Sequence, residues 1–244
     1  MKPFQLLAGT LSAAAALMSV PSDAQADDVG WSVGLDYVTD YVFRGASLGA
    51  DSIQPYVEIS SGGFTGGIWA STGVGEGSQA AADEIDFYGG YSVPLDGSIS
   101  LDLGVTYYHY PQSGDLLETE DGAAGSYEVS AALGFGDVMF APSVAAYYDF
   151  TLENFTLEGA IGHKTGFDEK NAVDFGLTVG LVDGDGTSYE WATATAALSH
   201  AITEAASVYV GANYTVNSEN ALDFNALNRR DELLWFGTGI STRF

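Results

Sequence analysis

The sequence predicts an all-β protein: a closed antiparallel transmembrane β-barrel of about 12 strands, with ten or fourteen as alternatives. Three observations carry this prediction. Apolar and polar residues alternate over segments of about 9–13 residues, longer than an average soluble strand and long enough for a tilted strand to cross a bilayer. The chain begins with a segment typical of a secretory signal and has no cysteine. It ends in an alternating strand with a terminal phenylalanine.

The first 26 residues have the features of a cleaved signal peptide. Lys2 gives a positive start, the run LLAGTLSAAAALMSV is apolar, and Ala24-Gln25-Ala26 forms a small-x-small cleavage site. The apolar run is shorter than the ~20 residues of a transmembrane helix and is interrupted by Ser, Thr and Gly. We therefore expect cleavage after Ala26 and a barrel comprising residues 27–244.

The composition restricts the classes of function. The formal net charge is −26, from 7 Lys and Arg against 33 Asp and Glu, so a nucleic acid would be repelled. Without cysteine, stability must come from packing or from a lattice of backbone hydrogen bonds. The sequence contains no phosphate-binding loop, no zinc-ligand spacing and no nucleophile elbow. We expect no cofactor, no metal site and no catalytic residues.

Alternation with a period of two recurs along the whole chain. In the first segment, for example, Trp31, Val33 and Leu35 alternate with Ser32 and Gly34. The segments predicted as strands are 30–44, 52–60, 64–73, 83–93, 98–110, 125–135, 138–150, 155–164, 172–182, 187–199, 206–217 and 230–244.

The environment of these strands determines how they must pair. In hydrocarbon an open sheet edge would leave backbone N–H and C=O groups without partners, so the strands must close into a barrel. The connections after the second, fourth and sixth segments are short (SGG, PLDGS and GD), whereas those after the third, fifth and eleventh are long and polar. Short periplasmic turns and longer external loops are typical of bacterial outer-membrane barrels. We therefore predict a bacterial outer-membrane location in contact with lipid, with no oligomeric state indicated.

The polar face of the strands is rich in carboxylates. An acidic lining favours cations and repels anions, so the favoured function is a passive channel for small cationic or neutral polar solutes. The alternative is a non-conducting barrel with a closed polar interior, whose long loops 73–83, 111–124 and 217–229 meet partners. The predicted lumen residues are Asp36, Asp40, Arg44, Gln54, Glu58, Glu84, Asp86, Asp102, Glu128, Asp149, Glu158, Lys164, Asp174 and Glu190.

The segment YVTDYVFRG combines apolar and charged residues. On a single strand, Tyr37, Tyr41 and Phe43 would face lipid, while Asp40 and Arg44 would face the lumen.

Arg44 is one of few cations, and its predicted partners lie on other strands. Asp40 shares its face but lies ~13 Å away along the strand, so the partners should come from neighbouring strands, with Gln54 and lumen carboxylates such as Glu58 as candidates. An arginine in a carboxylate-lined lumen pairs bidentately, either as a structural ion pair or as part of a constriction.

The last strand carries a candidate assembly signal. Phe236, Ile240 and Phe244 share one face of a strand that ends in an aromatic residue. This pattern is similar to the C-terminal signal of barrels that the outer-membrane assembly machinery recognises, so we expect that machinery to be a partner.

The first third of the chain resembles the TorF-type (Gcw_chp) porins. The shared motifs are DYVFRGAS (residues 40–47), Gln54-Pro55 and GFTGGIWAS (63–71), followed by EIDFYGGYS and LDLGVTYYHYP in residues 84–111. Thr65 departs from the family pattern, in which an aromatic residue is common. The resemblance implies an outer-membrane β-barrel and a pore, and it implies no particular solute.

The aromatic residues and the histidines suggest two further hypotheses, an aromatic girdle and an enzyme. Trp31, Trp69, Trp191 and Trp235, with Tyr107, Tyr108 and Tyr110, are predicted to form an aromatic girdle where they face outward, although Trp69 has the parity of the lumen. A lipid hydrolase would need a Ser/His pair near the outer rim. His109, His163 and His200 show no such pairing, so an enzyme is not expected.

Overall fold

The computed structural model describes residues 29–75, 83–96, 98–119, 124–184, 187–222 and 230–244. The predicted signal peptide, residues 1–26, lies outside them. The strands are β1 (Val29–Val38), β2 (Tyr41–Phe43), β3 (Ala46–Gly49), β4 (Ser52–Ser61), β5 (Phe64–Gly73), β6 (Glu84–Asp96), β7 (Ile99–His109), β8 (Gly125–Phe135), β9 (Ser143–Asp149), β10 (Asn154–Gly166), β11 (Asn171–Gly184), β12 (Thr187–Ala201), β13 (Ala206–Asn217) and β14 (Glu232–Arg243).

Within the described residues, twelve of these strands close into one antiparallel barrel. The strands from β4 to β14 pair consecutively, each with the next, and β1 closes the ring by pairing with β4 on one side and β14 on the other. Every barrel strand therefore has two hydrogen-bonded neighbours, and no open edge remains. The predicted fold class and strand number are confirmed.

The alternation in the sequence becomes an apolar exterior and a polar interior. Trp31, Leu103 and Val105 point outward with 48%, 46% and 50% of their surface exposed. The intervening residues point into the lumen, where Glu84 and Glu128 are only 3% and 5% exposed. The described ranges contain no helix long and apolar enough to cross a membrane.

Two predicted strands are shorter than expected. The segment predicted as 138–150 becomes a strand only from Ser143, because Phe140 and Ala141 have positive φ angles of 67° and 39° and Pro142 follows them. The segment predicted as 30–44 leaves the barrel wall after Val38. There Thr39 exchanges hydrogen bonds with the backbone of Phe236, and the chain bends.

The chain between β1 and β4 folds into the lumen as a short hairpin, which we call the inward hairpin (residues 39–51). β2 and β3 form its two strands, with Phe43 opposite Ala46. Arg44 and Gly45 make the two-residue turn with φ angles of 45° and 77°. Two successive positive φ angles define the type I′ turn that suits tight β-hairpins. Arg44 is unusual in this position, since a side chain there is strained.

The inward hairpin carries its own apolar core into the lumen. Val38, Tyr41 and Val42 pack with Trp69 and Trp235 in a buried cluster that Leu222, Leu233 and, partly, Phe43 complete. The prediction that Tyr41 and Phe43 face lipid is therefore wrong, although Tyr37 does face outward. The apolar residues of the segment YVFRG pack in a cluster inside the barrel and do not contact lipid.

Four of the aromatic residues considered for the girdle, and one predicted lumen residue, lie on the opposite face of the wall. Trp191 and Trp235 lie inside the barrel with 7% and 3% exposure, and Tyr108 and Tyr110 donate hydrogen bonds to carboxylates there, so these four are not girdle residues. Glu190 is exposed on the outer face, opposite Leu181 in the register, because its neighbour Trp191 occupies the inner face.

The last strand has the predicted parity. Phe236, Ile240 and Phe244 point outward with 47%, 48% and 79% exposure. The backbone of Phe244 exchanges hydrogen bonds with that of Trp31, so the end of the chain is joined to its first strand.

Candidate functional site

The inward hairpin spans the lumen between two parts of the barrel wall. On one side the Tyr41 hydroxyl donates to Glu84 Oε2 (2.8 Å), and the Tyr41 ring packs against Trp69 with centroids 5.5 Å apart. On the other side Asn217 Nδ2 donates to the carbonyl oxygen of Gly45 (2.9 Å). The hairpin is thus attached to β5 and β6 on one side and to β13 on the other.

Arg44 makes the strongest polar contact between the hairpin and the wall. Its two terminal nitrogens donate to the two carboxylate oxygens of Glu128, at 2.5 and 2.8 Å. The two side chains are only 7% and 6% exposed. The guanidinium carbon also lies 4.0 Å from the ring centroid of Tyr147 and 4.6 Å from that of Phe43. Arg44 therefore combines a bidentate ion pair with two cation–π contacts.

The wall around this ion pair is acidic and aromatic. Tyr108 donates to Glu128 Oε1 (3.0 Å) and so orients the carboxylate that binds Arg44. Tyr110 donates to Glu84 Oε1 (3.2 Å). Asp86 is 4% exposed, and within the described residues its Oδ1 atom has no hydrogen-bond partner. One guanidinium thus meets a wall that carries several buried carboxylates.

Gly45 is required by both conformation and space. Its φ of 77° suits glycine. A Cβ at Gly45 would lie 2.2 Å from the Cβ of Trp191. Trp191 in turn lies over Gly180, where an added Cβ would be 2.7 Å from the indole nitrogen. The turn of the hairpin therefore packs directly against Trp191.

Four other predicted lumen residues, Asp36, Gln54, Glu58 and Asp102, lie on strands of the barrel. Asp36 and Gln54 face each other across β1 and β4. Glu58 accepts a hydrogen bond from Tyr88 (3.0 Å), and Asp102 accepts one from Ser100 (2.9 Å). These carboxylates line the lumen outside the hairpin's ion pair.

The predicted surroundings of Arg44 were wrong in two respects. Arg44 lies in the turn of the hairpin, not on β1, and its partner, the predicted lumen carboxylate Glu128, is on the distant strand β8 and not on a neighbouring strand. Asp40 lies half-buried in the bend before β2, where it accepts a hydrogen bond from Thr39. The reason is the same for both: the chain leaves the barrel wall after Val38 and crosses the lumen.

Two residues that contact the hairpin turn are not among the predicted lumen residues, namely Tyr147 and Trp191. A signal for Trp191 was available, because it shares the parity of Thr193 and Thr195 on the polar face of β12. Nothing in the sequence signals that Tyr147 contacts Arg44.

The histidines form no Ser/His pair in the described part of the chain. His109 Nδ1 contacts the carbonyl oxygen of Ala124 (3.1 Å), and His200 Nδ1 contacts the side-chain oxygen of Asn171 (2.8 Å). His163 packs edge-on against Phe140.

Solved outer-membrane channels have the same fold. The KdgM porin in complex with disordered oligogalacturonate superposes with a TM-score of 0.58 at 12% identity, over 87% of this chain and 99% of that one. The NanC porin gives 0.56 at 11% identity, over 87% and 98%. An outer-membrane channel from Pseudomonas putida F1 gives 0.53 at 12% identity, over 92% and 99%. At such low identity the likeness shows the fold alone.

Sequence comparison places the chain in a family. No curated protein is detectably similar to it in sequence. A family model described as "Bacterial protein of unknown function (Gcw_chp)" matches residues 23–218, which is most of the chain. This match confirms the resemblance carried by the first third of the sequence. The chain belongs to the Gcw_chp family.

Proposed function

We propose that this barrel is an outer-membrane channel for passive diffusion of small cationic or neutral polar solutes, and that the inward hairpin sets the width of its bore. The observation that carries the proposal is a closed twelve-stranded barrel with an apolar exterior and a polar, acidic interior. The exterior suits contact with outer-membrane lipid, and the fold is that of solved porins.

The charges in the lumen support a preference for cations. Carboxylates of Asp36, Glu58 and Asp102 line the barrel outside the hairpin, and the cation Lys164 lies 3.4 Å from Asp174. Anions entering such a lumen are repelled. The ligand of the KdgM complex, an oligogalacturonate, is acidic, so it is not a solute that we propose for this chain.

A second function is favoured by the packing of the hairpin. Its contacts reach both sides of the lumen, and its apolar residues are buried against Trp69 and Trp235. A barrel filled in this way could serve as a non-conducting structural or surface-interaction protein. Planar-bilayer recording separates the two functions, because the channel requires conductance steps from the purified barrel. A folded barrel that gives no conductance and no liposome swelling with small solutes would leave the structural function.

The proposed selectivity gives an expected result for Asp102→Asn. We expect the wild-type reversal potential in a KCl gradient to show cation preference and the substitution to reduce it, because one lumen carboxylate is lost. Glu190→Gln is the matched control, since Glu190 points outward. Equal reversal potentials for wild type and Asp102→Asn would exclude Asp102 from the selectivity path. Anion preference in the wild type would contradict the proposed selectivity as a whole.

The C-terminal signal also gives an expected result. Phe244→Ala keeps the backbone hydrogen bonds to Trp31 but removes the terminal aromatic ring. We expect a several-fold loss of assembled barrel in the outer membrane, measured as the heat-modifiable form, and unchanged refolding in detergent. Phe167→Ala is the control, because Phe167 is 60% exposed in the turn after β10. Normal assembly of Phe244→Ala would remove Phe244 from the signal.

A further inference from the structure

The wall that holds Arg44 is a complete binding site for a guanidinium group. Glu128 supplies both carboxylate oxygens, Tyr147 supplies a ring face at 4.0 Å from the guanidinium carbon, and Tyr108 fixes the carboxylate by a hydrogen bond. All three belong to neighbouring strands of the barrel, β7, β8 and β9. The receptor is therefore a rigid part of the wall, while the group that occupies it comes from a loop.

Arg44, which occupies this site, has an unfavourable backbone conformation and an incomplete set of hydrogen bonds. Arg44 has a positive φ of 45°, a conformation that is strained for a side-chain-bearing residue. Within the described residues its Nε atom, although buried, has no hydrogen-bond partner. A free guanidinium compound would carry no backbone strain and could turn to use its remaining N–H group.

The wall contains further buried carboxylates that Arg44 does not pair with. Asp86 is buried and its Oδ1 atom has no partner in the described residues. Glu158, on β10, is 6% exposed and faces the same part of the lumen as Tyr147. A cationic solute would therefore be attracted to this wall.

A recess in the lumen adjoins the receptor at Tyr147. It lies towards the end of the barrel at which β5 and β7 begin, and small side chains keep it open. It is lined by Gly90, Asp102, Gly104, Ser130, Ala132 and Tyr147. Tyr147 is thus shared between this recess and the receptor for Arg44.

We infer that Glu128, Tyr108 and Tyr147 form a binding site for guanidinium-bearing small solutes, and that such solutes compete with Arg44 for it. Arg44 then acts as a tethered ligand that closes the site when no solute is present. Displacing it frees the strongest polar anchor of the inward hairpin. This last consequence rests on the proposed channel function, whereas binding itself does not.

The binding arm of the test uses the full barrel in detergent and calorimetric titration. The probes are L-arginine and L-citrulline, which differ in that a neutral urea group replaces the guanidinium. We expect Arg44→Ala to bind arginine at least tenfold more tightly than citrulline, and Arg44→Ala with Glu128→Gln to lose that difference. Wild type should bind arginine more weakly than Arg44→Ala, because its own arginine competes. Lys164→Ala, which removes a different luminal ion pair, should behave as wild type does.

The results that overturn the inference are equally specific. Arginine and citrulline binding with equal affinity to Arg44→Ala, or no binding of either, would show that the wall holds only its own hairpin. Where Arg44→Ala fails to fold, the variant lacking residues 41–49 exposes the same wall and takes its place with the same expected results.

A conductance arm separates this inference from the proposed function. In planar bilayers arginine, but not citrulline, should increase the open time of the wild-type channel. Arginine binding without any conductance would refute the channel and leave the site. Conductance that is indifferent to arginine, with no binding to Arg44→Ala, would refute the site and leave the channel.

Discussion

Arg44→Ala is expected to raise single-channel conductance and to strengthen cation preference. The substitution removes the bidentate ion pair with Glu128 and both cation–π contacts. Breaking one partner of a buried ion pair costs roughly 3–5 kcal/mol. Since ~1.4 kcal/mol is a tenfold change in an equilibrium, we expect this cost to shift the hairpin population away from its packed position. The lumen also loses a positive charge beside the inward hairpin.

Two variants control this expectation, and planar-bilayer recording with a salt gradient measures it. Arg44→Lys keeps the charge but not the planar bidentate contact, so it should give an intermediate conductance. Lys164→Ala removes a luminal cation that is more exposed, at 27% of its side chain, and should leave the conductance near that of wild type. If the Arg44→Ala barrel is folded and heat-modifiable but has wild-type conductance and selectivity, the ion pair has only a structural role.

Gly45→Ala is expected to release the hairpin even though Arg44 remains in place. The new Cβ would lie 2.2 Å from the Cβ of Trp191, and alanine is disfavoured at a φ of 77°. The conformational part costs roughly 1–2 kcal/mol, and the clash adds to it because the tryptophan is buried. We expect conductance similar to that of Arg44→Ala.

Gly62→Ala separates the two causes. Gly62 lies in the turn between β4 and β5 with a φ of 58°, and nothing lies within 4 Å of a Cβ added there. Gly62→Ala therefore has the conformational cost without the clash, so the conductance of this variant should match that of wild type. Gly45→Ala with Trp191→Ala should partly restore the closed hairpin, because the clash is removed. If Gly45→Ala alone keeps the wild-type conductance, the contact between Gly45 and Trp191 does not determine the width of the channel.

The barrel could be predicted from sequence because its physical cause is local. A strand with lipid on one side and a polar lumen on the other must alternate, and Leu35, Asp36 and Tyr37 show this directly. The same alternation placed Glu84, Glu128 and Asp102 inside. The orientation of Trp235 also follows from this alternation, because Phe236 faces outward and its neighbour Trp235 must therefore face inward.

The inward hairpin could not be predicted because two environments select the same pattern. Tyr41 and Phe43 are apolar whether they face lipid or an apolar cluster inside the lumen. The Arg44-Gly45 turn also gives a weak signal, since Asn-Gly or Asp-Gly is usual in type I′ turns. The partner of Arg44 is 84 residues away in the chain, and only the closed register of β4 to β8 brings Glu128 opposite it.

The most direct test of the central claim is a comparison of wild type with a variant lacking residues 41–49. Val38 pairs with Ser52 in the barrel wall, so the deletion leaves Thr39, Asp40, Ala50 and Asp51 as a short loop of a length common in β-hairpins. The quantity to measure is unitary conductance of each purified, heat-modifiable barrel in a planar bilayer. A channel narrowed by its hairpin predicts a larger, still cation-preferring conductance for the variant. Two folded barrels that both fail to conduct, or that conduct equally, would contradict it.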